Sequence, residues 1–169
     1  GGGSTELALR DGGRLKTISL QLGSSRLLQS FPNLTPDNER CALEEAEAVL
    51  RAGLETLSVR ETPRKFMSVG GNGFRLAVAD RLKRGLDPEG AEGWQLTLDA
   101  VYDWTDGLCR MTVPERAQVP GLPASRADVV AHGAVILCAA MHALNLPAIT
   151  ATKRTNLDGA LLETAGKTV

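Results

Sequence analysis

Between Arg126 and Asn145 the chain places Val129, Val130, Ala134, Ile136, Leu137, Ala140, Met141 and Leu144, which fall on nearly every face of one long helix. A helix with no polar face has to be enclosed on all sides. In 169 residues, the size of one domain, that enclosure comes from layers of helix and sheet. The rest of the chain is patterned to supply them.

Residues 5–10 and 15–22 read as two strands. Ile18, Leu20 and Leu22 alternate with Thr17, Ser19 and Gln21, the period of a half-buried strand. Asp11-Gly12-Gly13 is a tight-turn signal between them, so the pair is a β-hairpin. Ser24 to Ser30 suits a short helix. Thr35-Pro36-Asp37 reads as a helix start, with Leu43, Ala46, Leu50, Leu54 and Leu57 as the buried stripe of a helix reaching Leu57. Lys65 to Val69 reads as a short buried strand, followed by Gly70-Gly71-Asn72-Gly73 and a helix from Phe74 to Leu82. Further helices are expected over Leu98–Met111 and Thr112–Gln118, the second with Thr112 and Glu115 at capping-box spacing. A strand over Ala148–Thr152 and a helix over Leu157–Ala165 close the chain. This alternation predicts an α/β fold with a mixed sheet flanked by helices, the leading hairpin supplying the antiparallel part.

Composition narrows the function classes. A net charge of -1 leaves no electrostatic footprint for nucleic acid or a membrane surface. Charged residues interrupt or closely flank every apolar run, so none is long enough to span a bilayer. Cys41, Cys109 and Cys138 are odd in number and widely spaced, which fits reduced thiols in a cytoplasmic protein. His132 and His142 lie ten apart on one helix, on different faces and at different heights, and form no metal pair. Trp94 and Trp104 read as core or cleft lining, Arg126 and Asp128 as a helix-end cap or ion pair, and Arg14, Lys16, Lys153 and Arg154 as scattered surface charge.

The chemistry concentrates at the first residues. Gly1-Gly2-Gly3-Ser4-Thr5-Glu6 runs three glycines into two hydroxyls and a carboxylate. Backbone N–H groups of Gly2, Gly3 and Ser4 can approach an anion closely. The hydroxyls of Ser4 and Thr5 can donate to phosphate oxygens. Glu6 can orient a water or hold Mg²⁺. Taken alone, the same residues also read as a flexible linker. The second glycine cluster, Gly70-Gly71-Asn72-Gly73, follows a strand and opens a helix, an arrangement that sets a helix N-terminus beside an anion or nucleotide; three glycines in a turn are more often only a turn.

Gly1-Gly2-Gly3-Ser4-Thr5-Glu6-Leu7 resembles the second phosphate motif of the exopolyphosphatase and guanosine pentaphosphate phosphohydrolase family (Ppx/GppA). Ser19 through Leu27 is similar to that family's second hairpin strand and the turn after it. Ser68-Val69-Gly70-Gly71-Asn72-Gly73 stands where the family has a glycine-threonine loop on the nucleotide side, with Asn72 and Gly73 departing from the threonines. Met111-Thr112, Glu115-Arg116 and Val119-Pro120-Gly121-Leu122 resemble the segment before the long helix, and Arg126-Ala127-Asp128 with Gly133 to Leu137 resembles the helix itself. Leu157-Asp158-Gly159-Ala160-Leu161 is similar to the family's closing helix. The matches keep one order along the whole chain, which sets the linker reading aside.

The resemblance implies an actin-like, ribonuclease H-like ATPase fold of two lobes with the active site between them. It implies that residues 1–169 form the C-terminal lobe of a longer protein, with the N-terminal lobe as partner. The implied activity is Mg²⁺-assisted release of phosphate from polyphosphate or guanosine pentaphosphate. Glu6 would be catalytic and hold Mg²⁺, Gly2, Gly3, Ser4 and Thr5 would bind phosphate, and residues 70–73 would face the nucleotide side. A lone lobe is expected to be inactive and to expose apolar surface that favours a homodimer. Two other readings stay open: another actin-like phosphotransferase, and a non-catalytic module binding polyphosphate or a nucleotide.

Overall fold

In the computed structural model, residues 1–11, 13–58, 65–155 and 158 are described. Strands β1 (Thr5–Asp11) and β2 (Arg14–Leu20) form the hairpin, antiparallel with Thr5 opposite Leu20 and Asp11 opposite Arg14. Helix α1 (Ser24–Ser30) follows at once, and α2 (Glu39–Leu57) covers the hairpin. Next come β3 (Met67–Val69), α3 (Gly71–Lys83), β4 (Gln95–Thr97), α4 (Leu98–Arg110), the single turn α5 (Val113–Arg116), α6 (Val130–Ala143) and β5 (Ala148–Thr152). The sheet formed by the last three strands has the order β3-β5-β4, with β3 parallel and β4 antiparallel to β5.

The mixed sheet is present, but its antiparallel member is β4 rather than the hairpin, which forms a two-stranded sheet of its own. The strand β3 is short and not buried: Met67 is 62% exposed and Val69 52%. Among the described residues it pairs only with β5, which leaves its other edge without a strand partner among them. The expected cap at Thr35 is also displaced. Asn38 Oδ1 accepts the Thr35 N–H at 2.8 Å and its Nδ2 donates to Asn33 O at 2.8 Å, which holds 33–38 in a turn, and the helix starts at Glu39. The buried stripe of α2 accordingly runs through Ala42, Ala46, Leu50, Gly53 and Leu57, leaving Leu43 and Leu54 half-buried. The expected helix at 157–165 falls outside the described residues, apart from Asp158.

The apolar helix α6 is the core of the domain. It packs against α1, α2, α3 and α4, and residues 130–136 are all buried. A short 3-10 turn, Ala124–Arg126, precedes it, so the helix begins at Val130 rather than Arg126. Gly133 gives room to α3, because a Cβ there would meet the Asn72 side-chain amide at 2.5–3.0 Å and displace it. The capping box of α5 is complete: Thr112 accepts the Glu115 N–H while Glu115 accepts the Thr112 N–H. Both tryptophans serve one carboxylate. Trp94 Nε1 and Trp104 Nε1 donate to buried Asp80 at 3.0 and 3.2 Å, and Arg84 closes the cluster at 2.8 Å. His132 is buried, its Nε2 donating to Phe31 O at 2.8 Å, while His142 faces Glu47. All three cysteines are free, and burial pushes the Cys109 and Cys138 thiols up to about 12. Among the described residues no helix is long and apolar enough to cross a membrane.

Glu39 is an unusual group to find in such a core. It is buried, and its Oε1 has no hydrogen-bond partner among the described residues. Burial raises its carboxyl above the ordinary range, nearby Asp106 adds to the rise, and Arg110 opposes it. A carboxyl raised in the folded state is stabilising below its unfolded value near 4.5 and loses that stability as pH rises through the folded value. Glu39→Gln is therefore expected to melt higher than the parent at pH 7 to 8, by about 1 kcal/mol in stability. The gap should close as pH falls toward 4.5, which thermal melts across pH check directly; a gap independent of pH would contradict the account.

Candidate phosphate site

The first four residues close a tight turn into β1, with the Gly1 nitrogen donating to Ser4 O at 2.8 Å. Every other carbonyl of this loop is tied to the start of α1. Gly1 O accepts from Ser24 N at 3.1 Å; Gly2 O accepts from Ser25 N at 2.9 Å and Arg26 N at 3.2 Å; Gly3 O accepts from Arg26 Nε at 3.1 Å. In a trans peptide the C=O of one residue and the N–H of the next point in opposite directions, and no cis bond occurs among the described residues. The N–H groups of Gly2 and Gly3 therefore point away from the first turn of α1, and that of Ser4 points away from the Arg26 guanidinium. Among the described residues, none of the three donates to a protein acceptor. Successive free N–H groups are the donors that anion-binding loops use, which makes this loop a candidate anion site.

Gly23 permits this attachment. Its backbone is extended, so no unusual dihedral requires glycine there. The requirement is space, since a Cβ on Gly23 would overlap Gly2 O and lie 2.6 Å from the Gly3 carbonyl carbon.

The hydroxyls are arranged differently from the sequence expectation. Ser4 Oγ donates to Glu6 Oε1 at 2.5 Å, and Ser19 Oγ, from β2, donates to the same oxygen at 3.2 Å. Thr5 Oγ1 donates to Leu22 O at 2.6 Å. Both loop hydroxyls thus spend their hydrogen inside the protein, and the donors left for an anion are the backbone N–H groups. The Glu6 side chain is exposed, and the Ser4 bond, with Ser19 behind it, holds its carboxyl below the usual carboxylate range. It is ionised at neutral pH and fixed at one oxygen, while Oε2 remains available.

The second glycine cluster lines the same cavity as part of the loop. Gly1, Gly2, Thr5 and Glu6, together with Gly70, Gly71, Asn72 and Gly73, line a cavity of about 1440 Å³, whereas Gly3 and Ser4 lie outside its lining and Gly3 borders a smaller pocket with Gly2 and Arg26. Gly70 precedes α3 with φ 102°, a conformation that only glycine adopts without strain. No side chain caps α3, so its first N–H groups and the positive end of its dipole stay open. Asn72 sits against Gly133 of α6. Part of the cavity lining is apolar, with Ile136, Leu137 and Ala140 of α6.

Four cations went unnoticed in the sequence as a group: Arg10, Lys65, Arg75 and Arg126 all line this cavity, and none makes an ion pair among the described residues. Arg126, expected to cap a helix or pair with Asp128, does neither, because the 3-10 turn carries it clear of the start of α6. Glu6 is the one carboxylate lining the cavity among the described residues. A chain of net charge -1 thus gathers positive charge around one cleft. The cations come from β1, the approach to β3, α3 and the turn before α6, and this separation along the chain hid the cluster. Of the other basic residues, Lys16 is paired with Asp11 at 2.7 Å. No group of three or more metal-ligating side chains occurs among the described residues.

The family model for the Ppx/GppA phosphatase family matches residues 1–168. Solved structures with this fold include an Aquifex aeolicus Ppx/GppA phosphatase, type II variant, 23% identical with a TM-score of 0.81. They also include an exopolyphosphatase from Cytophaga hutchinsonii, 20% identical with a TM-score of 0.78. An exopolyphosphatase-like protein is 25% identical with a TM-score of 0.75. The chain is covered over 96%, 99% and 99% of its length in these comparisons, but spans only 54%, 56% and 58% of the respective relatives. No curated protein matches it. The fold is the actin-like α/β ATPase fold. The chain belongs to the Ppx/GppA phosphatase family.

Proposed function

We propose that this chain forms one wall of a phosphatase cleft that releases a terminal phosphate from a polyanionic phosphoanhydride, either linear polyphosphate or guanosine pentaphosphate. The observation that carries the reading is the run of N–H groups at Gly2, Gly3 and Ser4 that have no acceptor among the described residues, next in sequence to the ionised Glu6. The cations Arg10, Lys65, Arg75 and Arg126 support a substrate with charge beyond a single phosphate.

In the proposed reaction a water oxygen attacks the terminal phosphorus, the bridging P–O bond breaks with its electron pair passing to the bridging oxygen of the shortened chain, the attacking water gives up a proton to solvent, and orthophosphate is released. Phosphoryl transfer depends on positioning and on donors aimed at the equatorial oxygens rather than on covalent help. The loop N–H groups hold those oxygens, and the open N-terminus of α3 adds positive potential from the neighbouring cavity. Glu6 is the water-orienting carboxylate, kept in place through Oε1 by Ser4 and Ser19. Glu6 Oε2 is also the atom that would hold Mg²⁺, which binds through few protein carboxylates and keeps several waters; when bound it neutralises charge on the transferred group. We further propose that a second lobe closes the cleft and supplies the other carboxylate, so that residues 1–169 alone bind phosphate without turnover. The near-twofold greater length of the solved relatives supports that reading.

The test is phosphate release with Mg²⁺ from polyphosphate and from guanosine pentaphosphate, by the protein that carries this chain and by residues 1–169 alone. Release by the former and none by the latter is expected. Turnover by residues 1–169 alone would remove the need for a second carboxylate, and phosphate release by neither would favour a binding module. Arg75→Ala should raise KM roughly tenfold at low salt, with the loss shrinking as salt rises.

A further inference from the structure

The three carbonyls that orient the glycine loop are not held alike. Gly1 O and Gly2 O accept from main-chain N–H groups of Ser24, Ser25 and Arg26, which any residue at those positions would supply. Gly3 O accepts from a side chain, Arg26 Nε at 3.1 Å. The same guanidinium is anchored a second time, Nη2 donating to Gln21 Oε1 at 2.9 Å. Arg26 is solvent-exposed, and an exposed arginine with no carboxylate partner ordinarily samples many rotamers. Here it lies along the loop, its planar fork set by two acceptors at fixed angles.

We propose that Arg26 is the positioning residue of the phosphate loop: it fixes the Gly3–Ser4 peptide plane so that the Ser4 N–H joins those of Gly2 and Gly3 toward a bound phosphate. Rotating that one peptide would withdraw the Ser4 N–H and turn the Gly3 carbonyl oxygen toward the anion, replacing attraction with repulsion. Ser4 also carries the hydroxyl that holds Glu6, so the same plane sets the carboxylate. A lysine keeps the charge but carries its three N–H donors on one nitrogen, so it cannot reproduce the planar fork that spans Gly3 O and Gln21 Oε1. The inference rests on the phosphate-loop reading for its effect on activity, but the effect on the peptide plane does not.

The test compares the parent protein with Arg26→Lys, Arg26→Gln, Gln21→Ala and the Gln21→Ala/Arg26→Lys pair. In the phosphate-free protein, the residual dipolar coupling of the Ser4 N–H should change in both Arg26 variants while that of Gly2 stays. With substrate, Arg26→Lys should lower kcat roughly tenfold or more with KM changed less than threefold, since a donor aimed at developing charge acts mainly in the transition state. Gln21→Ala should give a smaller loss in the same sense, and the pair should lose no more than Arg26→Lys alone. An unchanged Ser4 coupling in Arg26→Lys and Arg26→Gln overturns the proposal, as does a fully additive pair. If instead the coupling changes as expected but inorganic phosphate shifts no loop amide of the parent protein, the phosphate-loop reading fails and Arg26 stands as the determinant of the loop's conformation.

Discussion

Replacing Glu6 with Gln is expected to lower kcat for phosphate release by about 10²–10³-fold with little change in KM, the loss typical of removing a positioned acid–base or charge-stabilising group. The substitution keeps the shape of the side chain and leaves an oxygen to accept the Ser4 and Ser19 hydroxyls, so the loop should keep its conformation. What disappears is the negative charge, which Ser4 and Ser19 stabilise in the native protein. Because Glu6 is exposed on a surface hairpin, the melting temperature should move little. A Glu6→Gln protein that keeps full kcat would remove Glu6 from the reaction; one that also loses stability would place it in the fold instead.

The second large effect is expected at Gly23. An alanine there puts its Cβ against Gly2 O and the Gly3 carbonyl carbon. Those atoms are backbone, already held by the Ser25 and Arg26 main-chain N–H groups and the Arg26 side chain, and cannot move aside without breaking the bonds that orient the loop. Overpacking of this kind costs about 1–3 kcal/mol, so the melting point should fall. Phosphate affinity should fall further than stability alone accounts for, because the loop is pushed off the start of α1. Thermal melts and a phosphate titration on Gly23→Ala check both parts. The informative control is Gly107→Ala: Gly107 lies in α4 outside the cavity, has open space around its Cβ position and should be tolerated.

These two residues also show where sequence reading succeeds. The glycine loop, the hairpin with its Asp11–Gly13 turn, α1 and the capping box of α5 were all legible, because each is fixed by residues a few positions apart. The strand β4 was not: Gln95–Thr97 is three residues long, too short for any alternation to register, and it owes its conformation to pairing with Ile149. The start of α2 was misplaced because a side chain–backbone bond from Asn38 competes with the Thr35 cap. The burial of Met67 and Val69 was overread, since a short apolar run does not reveal that its side chains will stay exposed. In the site, Gly2, Gly3, Ser4, Thr5 and Glu6 were visible as a motif. The donors' direction was not, as it depends on Gly23 and Arg26, some twenty residues away. Nor was the cation set, which four separate elements bring to one cleft.

The central claim is that the loop N–H groups hold phosphate. The most direct measurement is the shift of the Gly2, Gly3 and Ser4 amide resonances as tripolyphosphate is added to the protein at low salt. These three are expected to move together and saturate, with the amides of Gly71 and Asn72 in the neighbouring cavity following, and added salt should weaken the response. If the loop amides stay in place while resonances elsewhere titrate, the phosphate site lies outside this loop and the account of the cleft is wrong.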